Sequence, residues 1–196
     1  MKLDFNFYSN ISKSHIHELP VKKFEGKIYL IDALDKLDMV KDTIKNINVF
    51  GFDTETRPSF RKGKLYKTAL VQIAASDKAF LFRINLTGIP DLLVEILENS
   101  DITKIGVALK HDLISLQKIR SFSPRGFIDL QQYVEQFGIK DKGLRKLTAN
   151  ILGLRLAKGQ QTSNWESKSL IQKQLEYAAT DAWVCYEMYN KLSRML

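Results

Sequence analysis

Apolar and polar positions along the chain follow two periods, one near two residues and one near 3.6. GKIYLID (26–32) reads as a short strand, and LDKLDMVKDTI (34–44) places Leu34, Leu37, Val40 and Ile44 at helical spacing. INVFGFD (47–53) is a mostly apolar run with polar residues at its end, the pattern of a buried central strand. TALVQIAAS (68–76) and KAFLFRI (78–84) are separated by little more than Asp77, which predicts adjacent strands joined by a tight turn. From residue 89 helix and strand alternate: helix 89–99, strand 102–108, helix 111–119, strand 125–130 and helix 131–138. A helix over 143–153 follows, with Gly153 as its C-cap. The last helix runs from about Ser169 to the C-terminus, where Ser169 and Gln172 fit a capping box.

The order β α β β β α β α β α α predicts an α/β fold in which an antiparallel hairpin feeds a parallel sheet covered by helices. Residues 1–25 are polar and read as an irregular lead-in. With no repeat, low-complexity tract or linker, residues 26–196 are expected to form one domain, and 196 residues suffice to bury a core.

Composition narrows the class. No stretch approaches the ~18 apolar residues of a membrane span, and MKLDFNFYSN has no continuous apolar segment of the signal-peptide kind. The expected location is therefore intracellular: cytoplasmic, or nuclear in a eukaryote. The single cysteine, Cys185, excludes an internal disulfide framework and a cysteine zinc cluster, and its apolar helical surroundings mark it as a buried small hydrophobe. A formal charge of +8 suits a polyanionic partner, since phosphate contacts release counterions, but many solvated surfaces are also basic.

The chemistry lies in the acids. GFDTET (51–56) puts Asp53 and Glu55 two apart at a strand end, where residues i and i+2 share a face. Two such carboxylates repel unless a cation or proton compensates, and oxygen ligands suit magnesium or manganese. In EYAATDAW (176–183), Tyr177 and Asp181 are one helical turn apart on an otherwise apolar face. Asp112, in IGVALKHDL (105–113), falls where a strand gives way to a helix. Each alone has an ordinary alternative: a solvated turn, a core hydrogen bond, or a helix cap. His111, His15 and His17 read as surface residues, because no further metal ligands accompany them.

Together, in this order and spacing, the three clusters resemble the DEDDy branch of the DnaQ-like 3′→5′ exonucleases. FDTET carries the first motif, Asp112 the second and Tyr177-Ala-Ala-Thr-Asp181 the third. The Y-x-x-x-D spacing differs from the H-x-x-x-x-D of the related DEDDh form. Residues 51–74 resemble the opening of the Werner-syndrome-type exonuclease domain, and residues 163–183 an ending shared with ribonuclease D. The likeness covers roughly residues 20–195.

The resemblance implies a ribonuclease H-like α/β fold: a mixed sheet of five to six strands with helices on both faces. It also implies two Mg2+ or Mn2+ ions. Asp53 would bridge both, Glu55 and Asp181 would complete the site nearest the attacking water, and Asp112 would hold the second ion. Tyr177 would orient the water, and the products would be nucleoside 5′-monophosphates.

Beside the acids, Arg57, Arg61, Lys62, Lys64 and Lys67 form a basic segment. Thr54, Arg57, Arg61 and Lys64 are the expected substrate contacts. Trp165 could stack on a terminal base, but packing is the stronger reading and it stays outside the catalytic set. DNA is favoured as substrate, on the Werner-type likeness of residues 51–74 and the lack of a ribonuclease D-like accessory domain. Two alternatives stay open: an enzyme trimming RNA 3′ ends, and a catalytically silent nucleic-acid-binding module.

Overall fold

Alternation along one strand decides the architecture. The computed structural model describes residues 6–59, 63, 66–157 and 159–196. Strands β1 (Lys27–Ile31), β2 (Val49–Thr56), β3 (Thr68–Ala74), β4 (Lys78–Phe82), β5 (Thr103–Gly106) and β6 (Phe127–Asp129) form one sheet, ordered β1-β4-β3-β2-β5-β6. β3 is antiparallel to both β2 and β4, while the β1–β4, β2–β5 and β5–β6 pairs are parallel. The hairpin and the parallel half stand where the pattern predicted them.

Helices cover both faces: α1 (Lys13–Glu18), α2 (Asp38–Lys45), α3 (Ile84–Thr87), α4 (Asp91–Glu98), α5 (Leu109–Gln117), α6 (Leu130–Tyr133), α7 (Leu144–Leu152) and α8 (Gln172–Ser193). Phe50 and Phe52 of β2 project to one face, where they join Ile73, Phe80 and Phe82 beneath α2, α4 and α5. These side chains are fully buried, and each such burial contributes about 1.5–3 kcal/mol. On the other face lies α8, whose Ala179 and Ala182 pack on Ala74 and Ala79. Farther along, Val184, Met188 and Leu192 of α8 meet Leu147 and Ile151 of α7.

Several boundaries differ from the pattern. β2 continues through Glu55 to Thr56, because β3 pairs with it that far. α5 begins at Leu109. The short α3 interrupts the segment after β4. α8 starts at Gln172, and the Gln174 side chain rather than that of Gln172 reaches back to accept the Ile171 N–H at 3.0 Å. The proposed Ser169 cap thus lies two residues too early.

The lead-in is not irregular throughout. Ser12 caps α1 by accepting the His15 N–H at 3.1 Å. Ile11 and Phe24 are buried, Asp141 accepts the Ile11 N–H at 2.7 Å, and Val21 forms a parallel bridge to Arg155. Residues before β1 therefore line the surface beside α7. Among the described residues, no helix is long and apolar enough to cross a membrane.

Candidate active site

Small residues bring α8 onto β2. A Cβ placed on Gly51 would stand 1.8 Å from the carbonyl oxygen of Ala182, so only glycine lets the helix lie this close. Asp181 precedes Ala182 in that contact and is 5% exposed. Two residues beyond Gly51 on the same face is Asp53, and two further is Glu55. The spacing read from sequence thus delivers Asp53, Glu55 and Asp181 to one wall, with Tyr177 one turn before Asp181.

Asp112 reaches the same region from α5, and how it is freed was not legible in advance. An Asp in a first helical turn commonly caps it. Here Asp129, at the end of β6, takes that role: its carboxylate accepts the N–H groups of Ala108 and Leu109 at 3.1 and 3.0 Å. These bonds hold Ala108 in the left-handed region, φ 60°, which a residue with a side chain rarely adopts. The resulting sharp strand-to-helix turn presents Asp112, whose carboxylate accepts the Thr54 hydroxyl at 2.5 Å. Thr54, expected against substrate, instead projects from β2 to hold this acid. The backbone N–H of Thr54 donates to Asp53 at 2.9 Å.

The electrostatics show that these groups feel one another. Burial holds the Asp53 carboxyl well above the usual carboxylate range, and the charges of Asp181 and Asp112 push it further. Burial and then Asp53, Asp181 and Asp112 raise Glu55 to about 10. Asp181 rises to about 7 by burial, against a hydrogen bond from the Tyr177 hydroxyl and the charge of Arg145, which lower it. Asp112 is raised chiefly by burial, with its Thr54 bond opposing. The Tyr177 phenol is pushed up by burial and by these acids, so it stays protonated and donates. Among the described residues, no three His, Cys, Asp or Glu side chains close into a compact ligand cluster. The acids are coupled neighbours along one wall, with Asp112 tied to Thr54.

A cleft of about 390 Å³ opens onto Asp53, Glu55, Tyr177 and Asp181. Its opposite side is formed by α7 and the connection after it, including Arg145, Lys146, Leu156 and Gln161. Sequence reasoning missed Arg145, which carries no motif. Its signal was only a cation near the start of a helix whose neighbour in the fold is α8.

Of the basic segment, Arg57 pairs with Glu166 at 3.3 Å and lies over the Tyr66 ring at 4.8 Å. Lys67 is exposed, while Arg61, Lys62 and Lys64 lie outside the described residues. Trp165 is fully buried beside Tyr177, ring centroids 6.2 Å apart, so it packs rather than stacks on substrate. His111 and His17 are exposed, His15 packs against the Tyr8 ring at a tilt of 58°, and Cys185 is buried.

A family model described as 3′-5′ exonuclease matches residues 28–196. A 3′-5′ exonuclease of Arabidopsis thaliana is 32% identical over 198 residues, which cover 93% of this chain and 69% of the relative. The mouse bifunctional 3′-5′ exonuclease/ATP-dependent helicase WRN is 31% identical over 94% of this chain, but that stretch is only 14% of its own length. Among solved structures, Escherichia coli RNase D, an exoribonuclease involved in structured RNA processing, superposes with a TM-score of 0.76 at 22% identity. That match covers 86% of this chain and 45% of RNase D, and it supports the ribonuclease H-like fold. The extent of the family match and the likeness to the Arabidopsis enzyme agree with what the acids indicate: this chain belongs to the 3′-5′ exonuclease family, nucleases that use divalent metal ions on nucleic acids.

Proposed function

We propose that the chain hydrolyses nucleic acid from its 3′ end to nucleoside 5′-monophosphates, with two Mg2+ or Mn2+ ions held by Asp53, Glu55, Asp112 and Asp181. The observation that carries this is the shared wall of mutually repelling, desolvated carboxylates. Such a donor set fits hard divalent cations, which take oxygen ligands and offset the repulsion. When bound, the ions polarise the attacking water and stabilise charge on the departing 3′-oxygen.

The chain's own residues do the remaining work. Asp53, whose carboxyl feels the charges of both Asp181 and Asp112, would share both ions, with Glu55 and Asp181 completing one site and Asp112 holding the other. Thr54 fixes the Asp112 carboxylate. Tyr177, held protonated, donates to Asp181 here; with the ions bound its hydroxyl would turn to orient the water, and it does not act as the base. Arg145 faces Asp181 across the cleft, where it can meet a phosphate oxygen.

DNA is the favoured substrate, supported by the Werner-type likeness of residues 51–74. The ribonuclease D likeness supports a second reading, RNA 3′-end trimming. Digestion of matched DNA and RNA strands, labelled at either end, tests both with magnesium, manganese or EDTA. The expected result is a metal-dependent ladder shortening from the 3′ end, faster on DNA and absent for Asp53→Ala. Equal or faster loss of RNA removes the DNA preference. Undiminished digestion by the alanine variant contradicts the site.

A further inference from the structure

Beside the cleft runs a second concavity of about 450 Å³, and the two share Arg145, Lys146, Leu156 and Ala157 as a common wall. Its outer wall is the lead-in: Lys13, Ile16 and His17, which fall on one face of α1 at i, i+3 and i+4, then Val21. Its floor includes Arg155, whose backbone is held by the lead-in through Arg155 N–H to Pro20 C=O at 2.8 Å. We propose that this groove carries the substrate strand on the 5′ side of the scissile phosphate, with α1 as a strand-gripping wall. The proposal rests on the exonuclease reading above, which places the 3′ end in the cleft.

Three observations favour this path. First, the groove lies directly beside the cleft, because four residues line both. A strand whose 3′ end occupies the cleft must leave it somewhere.

Second, two cations of the groove, Lys13 and Arg155, make no ion pair among the described residues, while Lys146 on the shared wall pairs with Asp141 at 2.6 Å. On the other side of the connection, a concavity of about 420 Å³ also touches Tyr177 and Asp181. That concavity is lined by Glu25, Glu176 and Asp181, and two of its three lysines are paired in place, Lys23 with Glu176 at 3.1 Å and Lys22 with Glu25 at 3.5 Å. Among the described residues, no carboxylate lines the groove. A polyanion gains more from unpaired cations than from ones it must first strip of their partners.

Third, the groove is amphipathic. Ile16, Val21 and Leu156 offer apolar surface between the cations, which suits a single strand with alternating phosphates and base faces better than a bare anion. The wall belongs to a stretch before residue 28, where the family match begins. The likeness to the Arabidopsis exonuclease, which spans 93% of this chain, extends into that stretch.

Strand binding in EDTA tests the groove without requiring hydrolysis. The probe is a 5′-fluorescein single-stranded DNA dodecamer read by anisotropy. The double variant Lys13→Glu, Arg155→Glu is compared with Lys41→Glu, Lys45→Glu, which makes the same charge change on exposed α2 positions over the other face of the sheet.

The groove variant is expected to bind about tenfold or more weakly. The slope of log Kd against log salt should fall by roughly 0.7 per lost phosphate contact. The α2 variant should stay within about twofold of the parent. Should the double variant melt early, Lys13→Glu alone decides, with an expected loss of about threefold. Equal binding by parent and groove variants, or equal loss in the α2 variant, overturns the proposal. A parent that cleaves no strand with metal defeats the exonuclease reading instead, and the binding comparison still settles the groove.

Discussion

Successive residues of β2 look into two different environments. Phe50 and Phe52 meet α2, α4 and α5 across a fully buried apolar layer. Gly51, Asp53 and Glu55 meet or flank α8, where the packing residues are alanines and the polar groups repel one another. On that same face Gln72, cross-strand from Asp53, is buried with neither amide atom partnered among the described residues. Leaving a buried polar atom unpaired costs about 1–3 kcal/mol. One face supplies stability, and the other gives some up to hold a reactive constellation. Loss of function and loss of fold should therefore separate by strand parity.

The sharpest break is at Asp53. Asp53→Ala should lower the rate of 3′-end digestion about 10³-fold or more, since the ions contribute several kcal/mol to the transition state. Its metal-free melting midpoint should equal or exceed the parent's, because a buried carboxyl that is costly to desolvate beside other acids has gone. Three positions earlier, Phe50→Ala should do the reverse: a loss of about 3–5 kcal/mol of stability, with digestion per folded molecule largely kept. Melting curves and single-turnover rates on the two variants check the pair, and a destabilised Asp53→Ala would undo the division.

Gly51→Ala sits between these extremes. The added methyl must push Ala182 away, at a cost of about 1–3 kcal/mol for overpacking. Asp181 moves with it, so digestion should fall at least tenfold, as small misplacements near reacting atoms do. Unchanged kinetics in a stable Gly51→Ala protein would show that the close approach of α8 does not position the acid.

Much of this was legible because short-range periodicity carries it. Asp53 and Glu55 share a face by strand spacing, and Tyr177 and Asp181 by helix spacing. The hairpin around Asp77 and the Gly153 cap, φ 67°, follow from local chemistry. What escaped depends on contacts distant in sequence. Asp129 relieving Asp112 of cap duty spans 20 residues, and Arg145 reaches the cleft only through the packing of α7 on α8. α1 has six residues and no buried side chain, so no apolar period marks it. At the start of α8 the sequence favours Ser169, a good capping residue, with Gln172 three positions on, whereas the helix begins after Ile171, whose apolar side chain gives no cap signal. The basic segment was read as a unit, yet Arg57 is engaged by Glu166 and Tyr66.

The smallest expected effect tests the central claim most directly: that the α8 face is a desolvated carboxylate site for divalent cations. Raised carboxyl pKa values mean that the folded protein binds protons more tightly than the unfolded chain. That contribution is complete below the ordinary carboxylate range and is lost as pH rises through about 7 for Asp181 and about 10 for Glu55.

The measurement is the melting midpoint from pH 5 to pH 9, in EDTA and in magnesium, for the parent and Asp181→Asn. In EDTA the parent's midpoint should fall with rising pH by roughly 2–4 °C for each kcal/mol lost, and that of Asp181→Asn should fall less. Magnesium should restore the parent increasingly as the acids ionise, and the variant only weakly. Equal stabilisation of both proteins by magnesium, or a pH-independent gap between them, would contradict the assignment of this face as the metal site.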